Sequence, residues 1–150
     1  MEIRIDVDGV DELTKRYREA PQVIKPELTT SMTKVVIQGE GISKKLAPKW
    51  RGQLQRSIHH QVQAAGSSVK GEWGTSLHYA KYKEFGTRRH FVGAQHIGAW
   101  AAAHGFGHRG IVVSGRAQPF MKPAFQQMMG PIRAEFKAAM GRIVAKLAGG

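Results

Sequence analysis

The sequence predicts an α+β fold: a small antiparallel β-sheet with a hairpin packed against a long α-helix, plus a C-terminal amphipathic helix and a long irregular loop. Three observations carry that expectation. Apolar residues recur every three to four positions from Leu28 to Leu46 and again from Phe120 to Leu147, the period of half-buried helices. Between these stretches the period drops to two on either side of a turn signal at Ala64 to Ser68, the pattern of a hairpin. Residues 88–117 follow neither period.

Taken in order, Ile3, Ile5 and Val7 alternate with Arg4 and Asp6 and predict an opening strand ended by Asp8-Gly9. Asp11 is the expected N-cap of a first helix through Leu13, Tyr17 and Ala20, interrupted by Pro21. A second and longer helix carries Leu28, Met32, Val35, Val36, Gly39, Ile42 and Leu46 on one stripe, starts around Ile24 to Glu27 because of Pro26, and stops near Pro48. From Leu54 the two-residue period puts Leu54, Ile58 and Val62 on one face with Arg56 and His60. The return strand, Val69 to Leu77, sets Val69, Gly71, Trp73 and Thr75 against Lys70, Glu72 and Ser76. Tyr79, Tyr82 and Phe85 recur every third residue, as in a short helical turn closed by Gly86 in a left-handed position. Residues 88–117 are expected to be a long loop, with Ile97 to His104 able to form two turns of helix. Pro119 opens a helical segment through Phe120, Ala124, Phe125 and Met128. Gly130-Pro131 restarts another, with Ile132, Phe136, Met140, Ile143, Val144 and Leu147 on one stripe.

A chain of 150 residues with 41% hydrophobic content suits a single domain, residues 1–150. Without cysteine there is neither a disulfide framework nor a thiolate metal site. The N-terminus lacks the apolar core of a signal peptide, and the longest apolar stretch, Ile97 to Ala103, is too short for a membrane span. The charge is informative: 23 Lys+Arg against 11 Asp+Glu give +12, which favours an anionic partner. The bases are dispersed along the chain, so composition does not say which partner.

Catalytic chemistry finds little support. Seven histidines invite a metal reading, but the only helical-spaced pair, His104 and His108, straddles two glycines, and no carboxylate occurs from Thr87 to Gln118 to complete a site. No nucleophile elbow or phosphate-binding loop is present. Glu72 and Glu84 could approach each other in space, yet spacing alone does not make an acid and a base, and Glu84 reads as a hydrogen-bonding or ion-pairing residue. The chain is therefore expected to be neither an enzyme nor a holder of cofactor or metal. Non-specific nucleic-acid binding is the alternative, since dispersed cations on a hairpin and helices can contact phosphates. Against it, Trp50, Trp73 and Trp100 form no evident stacking ladder and no base-reading motif is visible.

One set of residues goes further. Pro48 with Gly52-Gln53-Leu54 and Ser57-Ile58, then Gly74-Thr75, then Tyr79-Ala80-x-Tyr82-x-Glu84-Phe85-Gly86-Thr87, then Pro119-Phe120-Met121-x-Pro123-Ala124 follow one another over residues 23–147. In order and spacing they resemble the neck or tail-completion family, the head-tail joining proteins of long-tailed bacteriophages. The resemblance implies a compact α+β virion subunit repeated as a ring around the channel at the head-tail junction, with no cofactor and no catalytic residue. Its implied partners are copies of itself, as a hexamer, and neighbouring head-closure, connector and tail-tube or tail-terminator proteins, with genome DNA passing through the channel. No membrane and no small-molecule substrate is implied, and the place of synthesis is the bacterial host cytoplasm. Two features depart from the pattern: Arg51 stands where such proteins often carry Thr, and the loop from Arg88 to Arg116 is longer than expected.

In this reading Tyr79, Tyr82 and Phe85 pack the turn after the hairpin and Gly86, followed by Thr87, lets the chain reverse. Pro119, Phe120 and Pro123 anchor the return from the loop, which brings Glu84 near the loop's two ends. These residues serve either the fold or a subunit interface. Arg88, Arg89, Arg109 and Arg116 are the candidates to face DNA or a partner.

Overall fold

A computed structural model describes residues 10–49, 51–66, 68–103, 105 and 110–149, and the fold is α+β as the periods predict. In chain order the elements are α1 (Val10–Leu46), α2 (Gln53–Ser57), β1 (Ile58–Ala65), β2 (Ser68–Thr75), α3 (Ala80–Phe85), β3 (Thr87–Val92), α4 (Ala94–Ala103), β4 (Ile111–Gly115) and α5 (Met121–Gly149). The strand expected at residues 1–7 lies outside the described residues, as do Trp50, His104, His108 and Arg109.

Four expectations about where elements begin and end need correction here. The break at Pro21 is absent: α1 is one helix with Pro21 and Pro26 inside it, and Asp11 lies within it rather than capping it. A proline removes one backbone hydrogen bond and crowds the preceding turn, but here the inward stripe continues in register through Ile24, Leu28, Met32, Val35 and Val36. Burial of one uninterrupted face outweighs the local cost. Thr29 and Thr33 donate their hydroxyls to the carbonyls of Lys25 and Thr29, both at 2.8 Å, a back-bonding that accompanies bent helices. The same correction applies to Gly130-Pro131, which α5 passes without restarting.

Leu54 belongs to helix α2, not to the hairpin, and β1 begins at Ile58. Both residues are buried, and a separation of four satisfies a helical and an alternating period equally. The fourth correction is the largest. Residues 88–117 are not an irregular loop: β3 and β4 pair antiparallel with Phe91 opposite Val112, His90 opposite Val113 and Val92 opposite Ile111, and α4 fills the connection. Strands separated by a helix leave no turn signature between them, so local reading misses the pairing.

The chain divides into two compact units. The first comprises residues 1–41, 60–73 and 126–150, the second residues 42–59 and 74–125. In the first unit the hairpin turns at Gly66 with φ 54°, and His60, Val62, Val69, Gly71 and Trp73 are half-buried while Gln61, Gln63, Lys70 and Glu72 between and beside them are exposed. This side packs on α1 through two glycines. A Cβ at Gly39 of α1 would fall 2.7 Å from the Trp73 indole, and one at Gly71 of β2 would fall 2.5 Å from Met32. Each element thus leaves a gap that a large side chain of the other fills, as close-packed interiors require.

The inward line of α5 in this unit runs through Met128, Ile132, Phe136, Ala139, Ile143 and Leu147. Met140 and Val144, expected on that stripe, are 55% and 60% exposed, because each lies one residue, about 100° of helix, beyond a buried position. The polar counterpart is a cluster between α1 and α5. Fully buried Ser31 donates to Glu135 at 3.1 Å and accepts from Arg142 at 2.9 Å, while Arg142 also reaches Glu27 at 3.0 Å. Lys34 pairs with Glu135 at 2.5 Å, and Lys146 pairs with Glu27.

The second unit has its own core of Ala47, Leu54, Ile58, Ala80 and Phe120, lined by Leu77, Tyr79 and Met121. Phe120 and Ile58 are completely buried. Ser57 ties the start of β1 to the end of β2 through Thr75 at 2.7 Å.

Candidate functional site

The residues singled out in the two aromatic and proline motifs meet in the second unit, and one carboxylate brings them together. An α-helix begins with backbone N–H groups that have no partner in the preceding turn. At the start of α5, Phe120 and Met121 donate their N–H groups to one oxygen of Glu84 at 2.8 and 2.9 Å, and Lys122 donates to the other at 2.9 Å. The next residue is Pro123, which has no N–H to satisfy. Ala124 then makes the first bond of the helix, to the Phe120 carbonyl at 3.3 Å. Every orphan donor at this helix start is accounted for by Glu84 and Pro123.

Electrostatics agree. Glu84 is only 8% exposed, and burial alone would raise its pKa. The N–H groups of Phe120, Met121 and Lys122 outweigh that effect and hold it below the usual carboxylate value. The positive end of the helix acts in the same direction. Gln118 adds a backbone bond to the Lys83 carbonyl at 2.7 Å, so α3 and the approach to α5 are stitched at two successive points. Glu72 is engaged elsewhere, by Gln61 and by Lys70 at 3.8 Å.

Gly86 reverses the chain as expected, although its backbone is extended at positive φ, with φ 75° and ψ −178°, rather than left-handed helical. A Cβ there would meet the Gly115 carbonyl at 2.7 Å and the Ala117 amide at 2.9 Å, so both conformation and space require glycine. Thr87 accepts the Gly115 N–H at 2.6 Å through its hydroxyl and closes the base of the β3–β4 ribbon. Pro119 is exposed and Pro123 half-buried.

The three aromatics part company. Tyr79 packs against the core, but Tyr82 is 48% and Phe85 78% exposed. The expectation that all three pack the turn is wrong for the latter two: in a six-residue helix that buries Ala80 and Glu84, Tyr82 and Phe85 fall on other sides. Lys81 covers the Tyr82 ring at 5.1 Å, a cation–π contact.

On the ribbon, Arg88, Arg89, His90 and Phe91 are exposed, as is Arg116 just beyond β4. Unit by unit, the charge that looks dispersed in sequence separates. Twelve of the 23 Lys+Arg but only one of the 11 carboxylates fall in the second unit, a formal +11 against +1 for the first. The one carboxylate is Glu84, already engaged by α5. In the first unit, by contrast, Glu27 and Glu135 neutralise bound cations. Lys34 foremost and Arg142 next hold Glu135 down to about 2, and Lys146 and Arg142 hold Glu27 low. Local reading missed this separation because the unit is assembled from two discontinuous segments.

Among the described residues, no group of three or more His, Asp or Glu is placed to hold a metal ion. Shallow clefts run along α1, lined by Pro21, Gln22, Thr29, Thr30 and Thr33, and Lys25 and Lys34 are the titratable groups on their walls. Among the described residues no helix is long and apolar enough to cross a membrane. Comparison with known protein families, with curated proteins and with solved structures gave no match to this chain.

Proposed function

We propose that this chain is a structural protein of the head-tail junction of a long-tailed bacteriophage, a ring-forming subunit acting in tail completion and head-tail joining rather than an enzyme. The observation that carries the reading is the Glu84 cap. The two motifs on which the family resemblance rests are 36 residues apart, yet one supplies the carboxylate and the other the amides of a single helix start. The motif pair is thus one structural device in this chain.

Two features suit a subunit that finishes folding against neighbours. A two-stranded ribbon is marginal alone in water, and β3–β4 presents Phe91 and Val112 on one face at 67% and 53% exposure. Tyr82 and Phe85 stand exposed beside a motif whose other members hold the fold. The adjoining head-closure, connector and tail proteins would cover such surfaces in a virion, after synthesis in the host cytoplasm.

The test is complementation of a phage whose copy of this gene carries a stop codon. Full heads beside unattached tails are expected without the protein, and normal particles would overturn the reading. Phe85→Ala supplied in trans should fail to restore joining while its unfolding free energy in urea titration stays within about 0.5 kcal/mol of wild type, as for an exposed side chain.

A further inference from the structure

We infer that the β3–β4 ribbon is a binding surface for the phosphate backbone of double-stranded DNA. The inference stands independently of the head-tail reading.

The ribbon belongs to the unit of formal charge +11, whose only carboxylate is the buried Glu84. Arg88, Arg89 and Arg116 are exposed, and among the described residues no carboxylate lies within ion-pair distance of them. In the other unit Lys34, Arg142 and Lys146 have Glu27 and Glu135 as partners. The ribbon's guanidiniums are therefore available to an external anion. Arginine suits phosphate because its planar fork donates two parallel hydrogen bonds.

Shape and chemistry select among anions. A copy of this chain is a poor occupant, since its surface repels a patch of the same sign. A two-stranded ribbon has the width of the DNA major groove, and Arg88 and Arg89 stand side by side where the pairing register shifts between Thr87 and His90, an irregularity of the kind that re-aims side chains from a strand. Stacking on a run of unpaired bases is disfavoured because β3 and β4 carry a single Phe, Tyr or Trp ring, that of Phe91, which is no ladder for successive bases. Contacts with phosphates read no sequence, and none is expected to be read.

The experiment is a fluorescence anisotropy titration of the full chain with a random-sequence duplex of about 20 base pairs at several salt concentrations. Each phosphate neutralised adds about 0.9 to the slope of log affinity against log salt. Arg88→Gln, Arg89→Gln and Arg116→Gln together should lower that slope by about 2.7. Between about 50 and 200 mM salt, wild type should then lose roughly 40-fold more affinity than this variant does. The control removes the same charge from exposed sites in the other unit, with Arg18→Gln, Arg133→Gln and Lys137→Gln, and should keep the wild-type slope. Equal loss in both triple variants would replace the local surface by a diffuse field and overturn the inference. So would failure to bind duplex at low salt, preference for a single strand of the same length, or displacement of the duplex by an equal charge of polyglutamate. Circular dichroism of both variants guards against misfolding, and particle assembly plays no part in the readout.

Discussion

Glu84 is buried, ionised and shared by three amides of one helix, so its removal leaves those amides without an acceptor in a site too closed for water to serve fully. Glu84→Ala is expected to lower stability by about 2–3 kcal/mol in urea titration near neutral pH, with Glu84→Gln intermediate because its carbonyl still accepts. The pH dependence has a definite sign. The folded-state pKa lies below the ordinary 4.5, so the contribution is complete above that value and is lost as pH falls through the folded pKa. The gap between wild type and Glu84→Ala should therefore narrow on acidification below about pH 4; a gap that stays constant would mean that the cap does not depend on the charge. The residue was legible in sequence as a hydrogen-bonding group. Its partners were not, because a side chain that caps a helix 36 residues away leaves no local spacing to read.

At the scale of elements, periodicity identified the helices and the hairpin but overrated proline as a boundary. Pro21 lies in the twelfth position of α1 on an exposed side, where it forfeits a backbone hydrogen bond without contributing burial. Pro21→Ala should raise stability by about 2 kcal/mol, the cost of an interior proline less its restriction of the unfolded chain. A melting temperature that stays level or falls would show that Pro21 itself is needed for the packing of Met32 and Val36 against Gly71. The ribbon was the converse failure. Phe91-Val92 and Ile111-Val112-Val113 are good strand formers, yet each run is short and its partner lies beyond a helix. Pairing of that kind is decided by tertiary structure, and the glycines and histidines around it imitate a loop.

For the whole molecule, the net +12 was legible at once but its location was not, since the unit carrying +11 is made from residues 42–59 and 74–125. That location bears on assembly. A closed ring needs unlike faces in contact, and copies that each carry so large a charge repel one another when the screening length is long, about 30 Å at 0.01 M salt and about 3 Å at 1 M. The apolar surface left open on α5, with Met129 43%, Met140 55% and Val144 60% exposed, gains rather than loses from added salt. Association of the purified chain should therefore increase with salt, read by sedimentation velocity between about 0.05 and 0.5 M, and Val144→Glu should suppress the larger species while leaving the helix content unchanged. Dissociation with rising salt would mean that ion pairs hold the copies together and would remove the apolar face of α5 from the interface. A chain that sediments as a monomer throughout would count against ring closure by this protein alone, and would assign the templating of the ring to a neighbour in the particle.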